Sequence, residues 1–433
     1  MKAEITSIKR IVILSIISRA ICMFVAYSSN GFFTDNIRNT SSITLLYNNQ
    51  NLLHLYQNTN KWRFLSSFIN WDAEYYLRLA YVKDYHFEHQ HAFLPIYPWF
   101  IRKICQVFLS GQNINSIHLI YSGIIVNNIS FIIAAIGLFM FQMTLLSRYP
   151  DSNIVYPGLA VLLYIFPTSN IFNSSLYTES LYSCVSFWGA YFLLNAEIYC
   201  HKEGFFKIKN LSFLIIGIIM YSISSGIRSN GIFNSFPLFF YFLSTSIPFK
   251  LSNIKRIIIH WISAFISFIA VIFPFALYIY WCYYRYCVLS DIVRPWCNSK
   301  IPNIYSFVQS EYWGNYLFNY WKLQKVDKFL WIIPIIVPIV VSSISIVKYK
   351  IYSFKSTYSW LGYVLQIYFL FIYVLLFGHV EVLIRLFNCI PLYFTLLAYF
   401  YKIFPSYSSI LLFYHIFTFI FGNMWFPNFL PWT

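Results

Sequence analysis

The feature that most constrains this chain is its succession of long apolar runs. Several windows of 17 or more residues carry no Asp, Glu, Lys or Arg, enough to cross roughly 30 Å of hydrocarbon as helix. The runs are continuous rather than alternating. Lipid admits only helices or closed barrels, because every backbone polar group must be satisfied internally. The expected fold class is therefore an all-α polytopic membrane protein, a bundle of transmembrane helices. The 10% share of charged residues agrees, being far below the roughly 25% of a soluble domain.

The runs mark eleven expected helices, at 11–27, 117–146, 153–170, 176–198, 211–227, 231–247, 257–281, 328–347, 358–377, 385–401 and 407–425. The first lacks a small-residue cleavage site and reads as a retained helix rather than a signal peptide. The connections 202–209, 250–256 and 348–355 are short and basic. The positive-inside rule places them in the cytosol with the N-terminus, and the long loops 28–116 and 282–327 on the lumenal side. The formal charge of +16 is then mostly topology, and no nucleic-acid partner is expected. Residues 1–433 read as one integral membrane domain.

The Asn-rich stretch 36–60 reads as a surface excursion carrying the glycosylation sequon Asn39-Thr40-Ser41. A second sequon, Asn173-Ser174-Ser175, sits close to the membrane. The eight cysteines show no CxxC or zinc spacing. Cys282, Cys287 and Cys297 share one loop, where a disulfide and separate thiols are both open readings. With 14 glycines and neither GxGxxG nor a Walker loop, nothing argues for a nucleotide pocket, and no cofactor is expected.

Chemistry concentrates in the first long loop. Four of the 14 acidic residues, Asp72, Glu74, Asp84 and Glu88, fall within 17 positions. Trp71-Asp72 leads. A carboxylate just outside the bilayer, beside an indole, has partly dry surroundings that keep it reactive as a base. Trp71 can anchor at the headgroup level or stack on a sugar face. A helix-capping aspartate beside an interfacial tryptophan is the plainer alternative, and Glu74 is a second candidate for the base. In His86-Phe87-Glu88-His89-Gln90-His91 the order of ligands matches no standard helical metal spacing, so no metal is expected and Glu88 and His91 line a polar loop. Ala92–Pro98 then turns into the amphipathic stretch 99–108, with Arg102 and Lys103 on its polar side.

Further candidates lie downstream. Glu179 is an intramembrane carboxylate, and Arg228 in Arg228-Ser229-Asn230-Gly231 sits between two apolar helices. Charge at that depth is costly and marks a site, and the planar donors of arginine suit a phosphate. Snorkelling to the surface is the alternative. Gln309, Tyr312 and Trp313 mix amide and aromatic groups as carbohydrate sites do. His379, Glu381 and Arg385 cluster near one helix end, Arg385 being a second possible phosphate contact.

Taken in order, Trp71-Asp72, Phe87-Glu88, Ala92–Pro98, Leu176-Tyr177-Thr178-Glu179-Ser180-Leu181, Arg228–Gly231, Tyr305–Ser310 with Tyr312-Trp313, and Asn428–Thr433 resemble the PIG-V family of GPI mannosyltransferases. The resemblance spans nearly the whole chain. It implies a GT-C type glycosyltransferase of the endoplasmic reticulum membrane with a lumenal active site. The implied donor is dolichol-phosphate-mannose, and the implied acceptor is mannosyl-glucosaminyl-phosphatidylinositol, which gains its second mannose in α-1,6 linkage. The resemblance also places an essential acidic residue in the first lumenal loop, where Asp72 stands, and suggests a small membrane subunit as partner. Leu94 departs from the family pattern, standing where a second aromatic is usual.

Together these readings make Asp72, Trp71 and Glu74 the catalytic candidates. Glu88, His91, Glu179, Arg228, Asn230, Gln309, Tyr312, Trp313 and Arg385 are the substrate-binding ones. The nearest alternative is a GT-C mannosyltransferase at another GPI or N-glycan step. A lipid or solute transporter is the alternative from another class, but such proteins usually show internal repeats and broken helices, and no repeat is visible here.

Overall fold

The computed structural model describes residues 2–32, 60–109, 114–148, 153–246, 254–350 and 359–430. The Asn39 sequon, parts of the expected cytosolic connections 250–256 and 348–355, and Pro431-Trp432-Thr433 lie outside them. In chain order the α-helices are α1 (Lys2–Ser29), α2 (Asn60–Ser66), α3 (Asp72–Val82), α4 (Ile96–Leu109), α5 (Ser116–Arg148) and α6 (Pro157–Ile165). Then come α7 (Glu179–Glu203), α8 (Ile208–Ile227), α9 (Ser235–Thr245), α10 (Ile254–Tyr283) and α11 (Ile304–Glu311). The last are α12 (Val326–Lys350), α13 (Ser359–Phe377), α14 (Leu383–Phe387), α15 (Pro391–Ile403) and α16 (Pro405–Trp425). Among the described residues there is no strand, so the all-α class expected from the apolar runs holds.

Seven helices among the described residues are long and apolar enough to span a membrane: 7–29, 116–148, 208–227, 254–288, 323–348, 360–377 and 405–428. Val380–Phe387 and Pro391–Ile403, meeting at 95°, make an eighth if the bent pair is one span. The chain is a multi-pass membrane protein. The remaining expected segments are helical but differ in form. The 153–170 run is helical only over α6, nine residues long, because Pro167 and the Ser and Asn residues after it favour turns over helix. The 231–247 run is a 3-10 turn, Ser229–Asn234, followed by the 11-residue α9. The 176–198 run begins as helix at Glu179.

The chain divides into two compact units. Residues 1–136, 162–184 and 406–433 form the first, and 137–161 and 185–405 the second. In the first, α1 turns a face of small residues inward (Ser15, Ser18, Cys22 and Ala26, all fully buried) while Ile13, Ile16 and Phe24 point outward. Small residues let backbones approach closely where lipid offers no hydrophobic drive between helices. Ser18 Oγ donates to Ile165 O at 2.5 Å, and Cys22 Sγ to Asn423 Oδ1 at 3.2 Å.

The segment between α6 and α7 is irregular yet almost wholly buried. Non-helical backbone at membrane depth is tolerated only where protein satisfies it, and here protein does. The buried Arg19 guanidinium donates to Asn170 O at 3.2 Å, to Ser174 Oγ at 3.1 Å and to Asn170 Oδ1, and lies 3.9 Å over the Phe131 ring. Asn127 Nδ2 donates to Tyr177 O at 3.0 Å and to Ser175 O. Asn173, the asparagine of the second sequon, is 3% exposed, so the folded chain offers it to no glycosyl transfer.

The second unit packs around Leu193, Leu214, Tyr221, Leu238, Tyr241, Phe242 and Val271. Some polar groups inside it are paired: Tyr221 and Tyr363 share a hydroxyl bond of 2.6 Å, and Ser244 Oγ donates to Glu197 Oε1 at 2.5 Å. Gly231 lies against the last turn of α8, where a Cβ would come within 2.5 Å of the Ser224 carbonyl. In the loop after α10, Cys287 and Cys297 form a disulfide with Cα atoms 5.5 Å apart. That settles one pairing among the three loop cysteines, and Cys282 is buried inside α10.

Candidate active site

Asp72 is the first residue of α3, after Trp71 at the N-cap position. It is not itself the cap residue, and no side chain of Trp71 caps the helix. Trp71 has φ 59° and ψ −128°, the first central position of a type II′ turn, which glycine normally fills. The turn is closed by Ala73 N donating to Asn70 O at 3.3 Å. A tryptophan there stores strain of about 1–3 kcal/mol, and such strain gathers at functional sites when the surroundings hold it.

The surroundings do hold it. Tyr177 Oη accepts from Asp72 N–H at 3.0 Å. Asn70 Nδ2 donates to Phe426 O at 2.9 Å, and the Trp71 ring lies 6.1 Å from that of Phe429. Asn428 ties the same region to α1, accepting from Gly31 N at 2.9 Å and donating to Ser29 O at 2.9 Å. Asp72 and Glu74 both fall in the first turn of α3, at the positive end of the helix dipole. Asp72 and Glu74 are each partly exposed, and Trp71 is 44% exposed. At the other end of α3, Arg102 of α4 donates to Ala80 O at 2.8 Å and Tyr81 O at 3.1 Å, covering the helix's last carbonyls.

The loop after α3 builds an aromatic wall beside these carboxylates. The Tyr75 ring stacks on Phe93 at 4.5 Å and meets His89 edge-on at 5.5 Å. Burial, and then the Asp72 and Glu74 charges, push the Tyr75 hydroxyl above its ordinary value, so it stays protonated. Burial, and then the charge of Arg78, hold His89 below its ordinary 6.5. Glu88 opens the 3-10 turn Glu88–Ala92 and is partly exposed. His91, by contrast, is 1% exposed and stacked on Tyr85 at 4.1 Å, and so braces the turn from inside.

These shifts carry a prediction. Above about pH 6.5 His89 is mostly neutral, and Tyr75 stays protonated beyond its ordinary range near pH 10. The acid limb of a pH–rate profile is expected to belong to a carboxylate rather than to His89. His89→Gln is expected to leave that limb in place, and its disappearance in the variant would show that the imidazole is the titrating base.

Glu179 opens α7 and is 1% exposed. It lies within electrostatic reach of Tyr97, whose hydroxyl is raised well above its usual range by burial first, despite a bond from Asn127. Trp71, Asp72, Glu74, Glu88, His91 and Glu179 all belong to the first unit, with His91 and Glu179 buried. The other candidates belong to the second unit. Arg228 caps the end of α8, and Ser229 Oγ shares a 2.6 Å bond with Tyr305 Oη. Burial raises the Tyr305 hydroxyl, while Ser229 and the Arg228 charge pull it back. Arg228 and Asn230 are partly exposed. Gln309 Oε1 accepts from Asn315 Nδ2 at 2.5 Å. Trp313 O is 3.1 Å from His379 Nε2, Tyr312 is half exposed, and Arg385 is buried in α14.

Among the described residues no three His, Cys, Asp or Glu side chains gather as metal ligands do. Sequence reasoning missed three supporting residues, Tyr75, Asn127 and Tyr177. Tyr177 lies inside a quoted motif, but its contact with Asp72 spans 105 positions and has no local signal.

The sequence profile of the mannosyltransferase (PIG-V) family matches residues 8–433. The chain is similar to "GPI mannosyltransferase 2" of Gibberella zeae, 30% identical over 271 residues, which cover 61% of this chain and 59% of that protein. It is similar to the Saccharomyces cerevisiae protein of the same name, 24% identical over 352 residues and 77% of each chain. It is also similar to human "GPI alpha-1,6-mannosyltransferase 2", 23% identical over 326 residues, 69% of this chain and 59% of the human one. The match thus spans about three fifths of the Gibberella and human proteins. No solved structure matches.

Proposed function

The chain belongs to the mannosyltransferase (PIG-V) family, and from that membership we propose that it adds the second mannose of the GPI precursor. The donor is dolichol-phosphate-mannose and the acceptor mannosyl-glucosaminyl-phosphatidylinositol. The new linkage is α-1,6, and transfer takes place at the lumenal face of the endoplasmic reticulum membrane. The observation that carries this reading is the partly exposed Asp72 carboxylate, held at the N-terminus of α3 beside the stacked rings of Tyr75 and Phe93.

The donor's mannose is β-linked to phosphate, so an α product requires inversion at the anomeric carbon. Asp72 accepts the proton of the acceptor's 6-hydroxyl as that oxygen attacks. The new carbon–oxygen bond forms as the bond to phosphate oxygen breaks, and the electron pair leaves on dolichyl phosphate. Trp71 offers a face for a sugar or an anchor at the headgroups. Glu74 adds a second carboxylate in the same helical turn, and Glu88 a hydroxyl-binding one. His91 and Glu179, being buried, shape the site rather than touch sugar. Asn230, Gln309, Tyr312 and Trp313 are proposed to bind sugar hydroxyls and faces, and Arg228 and Arg385 lipid phosphate. The loops 28–116 and 282–327 face the lumen, and a small membrane subunit is the expected protein partner.

Complementation tests the function. In cells lacking the second GPI mannosyltransferase, expression of this chain is expected to restore GPI-anchored proteins at the surface. Accumulated single-mannose precursor, unchanged in cells that express the chain together with the family's small subunit, would contradict the reading.

A further inference from the structure

We infer that Tyr177 is a positioning residue for Asp72, a role that rests on the proposal above that Asp72 is the base. Its hydroxyl accepts the Asp72 N–H at 3.0 Å and faces the Asn70 carbonyl at 3.5 Å. It therefore grips the backbone on both sides of Trp71, the residue held at φ 59°. The first N–H groups of a helix have no intrahelical acceptor. Trp71, at the N-cap, supplies none from its side chain. The phenol from a distant segment takes the place of the cap.

The phenol is itself fixed from several directions. Tyr177 is 1% exposed, with its ring edge-on to Phe172 at 4.9 Å and to Phe426 at 5.7 Å. Its carbonyl accepts from Asn127 Nδ2 at 3.0 Å, and Leu176 N–H beside it donates to Phe68 O at 3.1 Å. A side chain held so tightly is a fixed post against which a strained turn can be set. Without the hydroxyl, Trp71 can relax toward φ below zero, the region a tryptophan prefers. The Asp72 carboxylate, which follows in the chain, then moves with the turn. Tyr177 is too deeply buried to touch a sugar, so it acts through Asp72, and its loss falls on the chemical step rather than on substrate binding. Displacement by about 1 Å in such a constellation costs on the order of a hundredfold in rate.

The test is Tyr177→Phe, which keeps the ring in its aromatic cluster and removes the hydroxyl alone. Rates are taken with dolichol-phosphate-mannose and the single-mannose acceptor and normalised to folded protein, with the thermal midpoint measured alongside. The expected result is a fall in kcat of about tenfold to a hundredfold, with KM for both lipids within about twofold of wild type and the midpoint little changed. A kcat within about twofold of wild type overturns the proposal, as does a fall that is matched by a rise in KM or by loss of folded protein. Asp72→Asn measured in parallel separates the two readings. If it is inactive while Tyr177→Phe is fully active, the positioning role alone fails. If it keeps full kcat, the base assignment fails and the positioning role with it.

Discussion

Asp72→Asn is expected to lower kcat by about 10²–10⁴-fold, the usual contribution of a positioned general base, while the protein folds and inserts as before. Asparagine keeps the size of the side chain and a hydrogen-bonding oxygen, but it cannot take the acceptor's proton. The change leaves the main-chain bond of residue 72 in place, N–H to Tyr177 Oη at 3.0 Å. The side chain is partly exposed. Glu74→Gln is the companion variant, two positions further along the same first turn. A much larger loss in Glu74→Gln than in Asp72→Asn would move the base to Glu74.

Gly231→Ala is expected to destabilise the protein by about 3 kcal/mol, the upper end of ordinary overpacking, and to lower activity with it. The reason is where the glycine sits. A Cβ there would come within 2.5 Å of the Ser224 carbonyl carbon and oxygen, and closer still to Ser225 N. These are backbone atoms of the last turn of α8 and cannot swing aside as a side chain can. The turn is further tied, with Asn234 Nδ2 donating to Ser224 Oγ at 2.7 Å and Gln366 Nε2 of α13 donating to Asn234 Oδ1 at 2.9 Å. Relief must come from unwinding the end of α8, which carries Arg228. Gly158→Ala is the control, because a Cβ at Gly158 meets nothing within 4 Å. Equal thermal midpoints and activities for the two variants would refute the close approach.

How much of this was legible in the residues varies with the range of the interaction. The helical membrane class followed from uncharged runs, since lipid leaves a continuous apolar segment no other form. The stretch 153–198 reads as two helices and holds two, a short α6 and the long α7, but with a buried irregular segment between them. Its hydropathy looks like that of a span, and residues distant in sequence, Arg19, Asn127 and Phe68 among them, help satisfy its backbone. Trp71 and Asp72 stood out by composition and position. The left-handed φ of Trp71 did not, because tryptophan gives no sign of a glycine-like turn. The motifs near Leu176 and Asn428 were visible as a resemblance. Their physical sense is that Tyr177, Phe426 and Asn428 hold the Trp71 turn and its neighbours. Arg228 stands out for charge at membrane depth, whereas the steric need for Gly231 in the same motif is tertiary.

The measurement that tests the central claim most directly is a transfer reaction in membranes containing this chain and no endogenous second GPI mannosyltransferase. Labelled dolichol-phosphate-mannose and mannosyl-glucosaminyl-phosphatidylinositol are supplied, and the product is digested with linkage-specific mannosidases. The account predicts addition of a single mannose, released by an α-1,6-specific enzyme and absent with Asp72→Asn. Transfer to an acceptor that already carries two mannoses, or to a dolichol-linked oligosaccharide, with none to the single-mannose lipid, would contradict it.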